Sequence, residues 1–364
     1  MPSAAHTVIA AAGWKVTPPS GLGDNGGNGV QQSGSGITAY SSGSGDFSMR
    51  VNTVGASAMC SLPAGTYTFS DFAYNGGGTP PNQFWFGADI TAKGLLGAGS
   101  NYTTIEMIPN TSTKASYVPA PGSGQPNQLQ YVFSASSGFT VDGVKILGTP
   151  QGHLYEGLRF NAIANPTLTN STIANIPGDD GTPPGETFGV NFYASTGTVT
   201  VTNVTVDGGG VGATAMGSNN SGATYNITNL YTHDHPYSAG WASWEHSGIM
   251  NFHGFVMKNG ARAFNAERLA GQVNFYDPLW DDPMSGHFDV NPTYESGWTG
   301  GELNFYFSSI SAWNTFIANR TNKKITAVSN PSSVSYGLSK STVINVYIGG
   351  ALQTQSNYVT WTGI

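Results

Sequence analysis

The sequence predicts an all-β chain wound as a parallel β-helix, a solenoid of short stacked strands. Three observations carry this expectation. The composition suits strands and tight turns. A strand-like unit recurs at a near-regular period. The hydrophobic alternation inside that unit slips by one residue at the same place in each copy.

Charged residues make up 9% of the 364, against roughly 25% in typical globular domains. Gly, Ser, Thr and Asn fill the gap. Aromatic and β-branched residues still recur throughout, so the chain can bury a core. Abundant Thr, Val, Asn and Gly favour strands over long helices. No stretch shows helical periodicity beyond a few turns.

The formal net charge is −7, and Lys323-Lys324 is the one adjacent pair of cations. Nucleic-acid binding draws on clustered cations that displace counterions, so no nucleic-acid partner is expected. Cys60 stands alone, which excludes an internal disulfide and leaves stability to packing or assembly. Pro2 to Trp14 contains a short apolar run with no basic segment before it, a poor secretory signal. No run is long enough to span a bilayer, so no membrane insertion is expected.

Composition and patterning divide the chain into three parts. Residues 1–59 form an extended Gly/Ser-rich segment for attachment or capping, including Gly21-Leu-Gly-Asp-Asn-Gly-Gly-Asn-Gly29. Residues 60–321 form the parallel β-helix, and residues 322–364 a small β module.

The repeat is apolar-x-apolar-x, then an Asn, Gly or Asp anchor, then apolar positions again. It reads Phe139-Thr-Val-Asp-Gly143-Val-Lys-Ile146, then Leu168-Thr-Asn170-Ser-Thr-Ile173, then Val199-Thr-Val-Thr-Asn203-Val-Thr-Val206. It continues as Tyr225-Asn-Ile-Thr-Asn229-Leu-Tyr-Thr232, Met250-Asn-Phe-His-Gly254-Phe-Val-Met257 and Val273-Asn-Phe-Tyr-Asp277-Pro-Leu-Trp280. The anchors recur at roughly 23 to 33 residues, the period range of solenoid repeats. Alternation before the anchor sends one face inward, as in a half-buried strand. The slip at the anchor bends the chain, and Gly, Asn and Asp best tolerate the left-handed backbone such a bend favours. Asn203 and Asn229 should therefore lie one coil apart with stacked side chains. A β-sandwich with Asn/Gly turns is the bland alternative, but it would place hairpin turns every 8 to 12 residues or so and needs no repeated slip.

Leu62-Pro-Ala-Gly-Thr-Tyr67-Thr-Phe69 and Lys93-Gly-Leu-Leu-Gly-Ala-Gly-Ser-Asn-Tyr-Thr-Thr-Ile105 resemble the opening coils of the pectate-lyase-like β-helix superfamily. There an LPAGTY-like strand leads to a G-x-G-x-G-S-x-x-T-x-I strand. The resemblance spans about residues 60 to 310 and implies a right-handed parallel β-helix. It says little of function, because lyases, glycosidases, phage tailspikes and inert fibres share the scaffold. Ile344-Asn-Val-Tyr-Ile-Gly-Gly-Ala-Leu-Gln353 and Asn357-Tyr-Val-Thr360 are similar to the V-Y-V-N-G-x-L-Q…D-Y-T-V hairpin of phage tail-fibre proteins. Gly349 stands where Asn is usual there, and Asn357 where Asp is usual.

Most polar residues of such a chain are the solvated faces of its coils. Four residues past each anchor lies a column of Leu147, Ala174, Asp207, His233, Lys258 and Asp281, with Asp234 and Asp282 one step further. This is either a polar edge or a glycan or acid/base site, with Asp207, Asp234 and Asp282 as the catalytic candidates. Asp207 and Asp234 should stand about 5 Å apart, one strand spacing, near the separation retaining glycosidases use. Tyr231, His233, Asp234, Tyr237, Trp241 and Trp244 are the glycan-binding candidates: the aromatics crowd a loop beside His233-Asp234-His235, and aromatic rings with polar edges suit sites that are part apolar and part wet. Trp298 belongs to a later copy, and Trp280 occupies an inward position and belongs to the core.

His233-Asp234-His235 has metal-ligand chemistry, and strand alternation would put the two histidines on one face, but spacing fixes no further ligand, and no metal is assigned. Asp179-Asp180 lies in a Gly/Pro loop and fits a solvated turn better than a calcium site. No catalytic pattern of the superfamily matches around Arg159, Arg262 or Arg268. No Gly-rich run joins a strand to a helix as a nucleotide loop requires, so no cofactor is expected.

Together the resemblances imply a structural or receptor-binding component of a tailed-bacteriophage particle: a minor tail, fibre or spike protein. Its expected partners are other virion proteins and a host cell-surface glycan, and its expected state, by analogy with spikes and fibres, is a homotrimer. A polysaccharide-degrading enzyme on the same scaffold and a capsid decoration protein are the alternatives.

Overall fold

The computed structural model describes residues 94–108, 129–133, 137–148, 154–176, 187–209, 213–281, 290–292, 301–328 and 343–362. It also describes short strands at 6–8, 15–16, 37–42, 46–51, 59–62, 65–70 and 84–86. Asp282, Trp298, Asp179, Asp180 and the Gly21–Gly29 run lie outside the described residues, as do the side chains of Tyr237, Trp244 and Arg268. The chain is all-β, with mostly parallel strand pairing. It forms two compact units. One comprises Met1–Asn191 and Gly209–Ala213, the other Phe192–Gly208 and Thr214–Ile364.

In the first unit, Thr140–Asp142 lies between two parallel neighbours, with Val141 opposite Leu95 on one side and Leu168 on the other. Past the anchor Gly143, Lys145–Leu147 does the same, with Ile146 opposite Ile105 and Ile173. All five of these apolar side chains other than Val141 itself are buried, and so is Val141. The two segments that carry the superfamily resemblance pair in parallel, Leu62 with Gly97 and Tyr67 with Ile105. Gly97 is required by the close approach of neighbouring backbones. A Cβ there would fall 2.1 Å from the Gly143 carbonyl oxygen.

In the second unit, residues 198–207 pair in parallel with the first part of Thr224–His246, so that Val201 faces Ile227 and Val204 faces Leu230. Ile249–His253, Gln272–Tyr276, Glu302–Phe307 and Val343–Ile348 follow, each parallel to the one before. The slip is visible in burial. Val199 and Val201 point inward before Asn203, and Val204 and Val206 after it; Met250 and Phe252 precede Gly254, and Phe255 and Met257 follow it. The expected backbone is present at all six anchors. Gly143, Asn170, Asn203, Asn229, Gly254 and Asp277 have φ between 45° and 68°. Asn229 Nδ2 donates to Asn203 Oδ1 at 3.0 Å, the stacking expected of the pair.

Aromatic rings fill the core of this unit. Phe252, Phe275 and Phe305 stack at centroid distances of 5.2 and 4.9 Å. Trp280 is buried, as its inward position implied, and meets Phe275 edge-on at 5.0 Å. A helix, Ile310–Ile317, begins at Ser309, whose Oγ accepts from the Ala312 amide, and it buries Trp313 and Phe316. Arg320 ties its C-terminal end to the sheet. Its Nη2 donates to the Trp280 carbonyl at 2.9 Å, and its guanidinium lies 4.0 Å from the Phe316 ring centroid.

The hairpin read in the C-terminal segment is present, with Ile348 opposite Ala351 in antiparallel pairing. Gly349 and Gly350 both have positive φ, 57° and 80°, as a two-residue type I′ turn demands. Beyond it, the Gln353 amide donates to the Val346 carbonyl and the Gln355 side chain to the Ile344 carbonyl.

Candidate functional site

The polar column forms in the second unit. Asp207 is in register with His233, and His233 with Lys258. One residue further along, the chain turns a second left-handed corner. Gly208, Asp234 and Asn259, each five residues past its anchor, have φ of 67°, 60° and 50°. Asn175 holds the same place in the first unit, at 55°. Asp234 therefore has a backbone role. Asp, Asn and Gly are the residues that tolerate this conformation.

The corner sets the local chemistry. His233 Nδ1 lies 2.8 Å from Asp234 Oδ2 and 3.4 Å from Asp207 Oδ1. Asn259 Nδ2 donates to Asp234 Oδ1 at 3.0 Å, and the Tyr231 ring stacks on the His233 imidazole at 4.7 Å. The hydrogen bond with His233, then that from Asn259, holds the Asp234 carboxyl below its ordinary range. Asp234 is accordingly an ionised acceptor and does not serve as a protonated acid. The donor atoms of Asp207, His233 and Asp234 lie within 4.8 Å of one another, so the two carboxylates do meet across one strand spacing.

Two sequence expectations are corrected. Trp241 is not a surface aromatic. It is fully buried, stacked with Phe192 at 6.3 Å and edge-on to Tyr225 and Phe252. Its crowded polar neighbourhood in sequence suggested a loop, but it belongs to an inward strand position. His235 does not share a face with His233. The left-handed residue between them breaks the alternation, and His235 is buried with Nε2 3.4 Å from the Val206 carbonyl oxygen. Of the glycan-binding candidates, the structure brings Tyr231, His233 and Asp234 together.

No family model, no curated protein and no solved structure matches the chain.

Two side-chain ladders were not expected from the sequence. Asn226, Asn251, Asn274, Asn304 and Asn345 form a chain of side-chain amide hydrogen bonds of 2.8 to 3.2 Å, each Nδ2 donating to the preceding Oδ1. Beside it, His253, Tyr276, Tyr306 and Tyr347 stack ring on ring at 4.2 to 4.8 Å. The signal was there in Asn251-Phe-His253, Asn274-Phe-Tyr276, Asn304-Phe-Tyr306 and Asn345-Val-Tyr347. Successive copies place like side chains in register, which converts a short sequence pattern into two continuous rows, the asparagine row being buried at Asn274 and Asn304.

Proposed function

We propose that the parallel ladders of the two units are coils of a right-handed parallel β-helix. We propose further that the chain is a structural and receptor-binding component of a tailed-bacteriophage particle, presenting its outward corner to host-surface glycans. The observation that carries the β-helix is the register of the second unit. Each strand from Thr198 to Tyr276 pairs in parallel with the corresponding residues of the next copy, with a left-handed residue at the same step. A coil pairs with its successor in that way. The attachment role rests on the two sequence resemblances and on the chemistry of the corner. Asp207, His233, Asp234 and Asn259 offer fixed acceptors and donors beside the Tyr231 ring. By analogy with spikes and fibres, the working unit is a homotrimer bound to other virion proteins.

Gold-labelled antibody against the chain should decorate the tail or its fibres on purified particles, and the purified protein should bind host-envelope polysaccharide. Labelling confined to the capsid shell would make it a decoration protein. A specific observation keeps the enzyme alternative in view. Asp207 and Asp234 approach within 4.8 Å, close to the roughly 5 Å of retaining glycosidases. Such a pair needs one ionised and one protonated carboxyl, and Asp234, held below its ordinary range, fits only the ionised role. Turnover of host glycan that is abolished in a folded Asp234→Asn protein would replace the attachment reading with a hydrolase.

A further inference from the structure

Adjacent residues of an extended strand point to opposite faces, so His233 and Asp234 would ordinarily diverge. The left-handed backbone at Asp234, φ 60°, removes that alternation, and its Oδ2 comes within 2.8 Å of His233 Nδ1. Asp207 reaches the same nitrogen from the neighbouring strand, at 3.4 Å. Two groups outside the triad hold these donors in place. Asn259 occupies Asp234 Oδ1, which leaves Oδ2 toward the imidazole, and Tyr231 stacks on the ring with an interplanar angle of 25°. Contacts of this kind orient ligands in metal sites.

We propose that Asp207, His233 and Asp234 form a three-donor site for a divalent first-row transition ion such as Zn²⁺. At metal–ligand distances of about 2.1 Å, neighbouring donors stand about 3.0 Å apart around an octahedral ion and about 3.4 Å apart around a tetrahedral one. The two separations measured from His233 Nδ1, 2.8 and 3.4 Å, need only small adjustments to meet either arrangement, and the two carboxylates, within 4.8 Å of each other, close on the ion by side-chain rotation. The imidazole selects Zn²⁺, Ni²⁺ or Cu²⁺ over Ca²⁺ and Mg²⁺, which take oxygen ligands. Two carboxylates and a neutral imidazole present two negative charges to a doubly positive ion. Side-chain exposures of 20% for His233, 44% for Asp207 and 54% for Asp234 leave the remaining coordination positions open to solvent. His235 is excluded because it is buried on the other side of the corner.

The test is calorimetric titration of the chelator-treated full chain with ZnCl₂, repeated with Co²⁺ to read the coordination from its visible absorption. Saturable one-to-one binding is expected. His233→Ala and Asp207→Asn should each weaken it at least tenfold, and His253→Ala, which alters an exposed histidine in the tyrosine ladder, should leave it unchanged. If His233→Ala perturbs the circular dichroism spectrum, Asp234→Asn carries the test, since Asn tolerates the left-handed corner. Absence of saturable binding overturns the proposal, and so does binding that survives the loss of His233 or, in that second variant, of the Asp234 carboxylate.

Discussion

Replacing Asn229 by Ala and by Gly separates the two things an anchor does. Asn229 sits at φ 54° and donates one exposed hydrogen bond of 3.0 Å to Asn203. A left-handed backbone costs a residue with a Cβ roughly 1–2 kcal/mol, a cost Asn relieves in part by local hydrogen bonding and Gly escapes. An exposed hydrogen bond adds about 0.5 kcal/mol, the low end of its usual contribution. Asn229→Ala should therefore destabilise by about 1.5–2 kcal/mol and Asn229→Gly by about 0.5 kcal/mol. Urea unfolding followed by circular dichroism reads both as midpoint shifts at constant slope. The ordering is the discriminating result. A Gly variant that loses as much stability as the Ala variant would show that the left-handed anchor contributes nothing, and the physical account of the repeat would fail with it.

Three further outcomes follow from other parts of the molecule. Burial lowers the His246 imidazole from 6.5 to about 4. The unfolded chain takes up that proton near pH 6.5 and the folded chain does not until about pH 4, so stability falls as pH drops through this window. The loss is roughly 3 kcal/mol at about 1.36 kcal/mol per pH unit, and thermal melts across the window should show a slope that a His246→Leu variant lacks. Arg320→Met removes the hydrogen bond to the Trp280 carbonyl and the contact over Phe316; it should destabilise by about 2–4 kcal/mol, read as a lower Tm. At the I′ turn, Gly349→Asn should fall within about 0.5 kcal/mol of the parent, whereas Gly349→Val should lose about 1–2 kcal/mol, both measurable by urea unfolding.

What could be read from the sequence was whatever hydrophobicity marks twice. The anchors were legible because apolar residues flank them on both sides, so the change of parity shows, as in Val199, Val201, Val204 and Val206. Trp280 was placed correctly by the same parity. The second corner left no such trace. Asn175, Gly208, Asp234 and Asn259 share a tolerance for positive φ, but mixed polar residues surround them, and no alternation is seen to slip. That is why His233 and His235 were expected on one face and Trp241 on the surface. The continuation of the ladder into Val343–Ile348 was hidden for another reason. Asn304 and Asn345, bonded neighbours in the structure, are 41 residues apart, well beyond the spacing of the earlier copies. The helix Ile310–Ile317 lies in that interval and is too short to show a convincing period.

A parallel ladder offers a free edge for the next chain to extend, and an open edge invites growth from one molecule into another. Val343–Ile348 has Glu302–Phe307 on one side, and alternate carbonyls of its backbone face the other. Two of those carbonyls, on Ile344 and Val346, are already occupied by the Gln355 side chain and the Gln353 amide, and the hairpin strand Ala351–Leu352 covers the end of the row. A strand arriving from a second copy finds its acceptors taken. The residues just past the turn thus occupy the edge that polymerisation would use, and Gln355→Ala should raise fibre formation on concentration, read by light scattering.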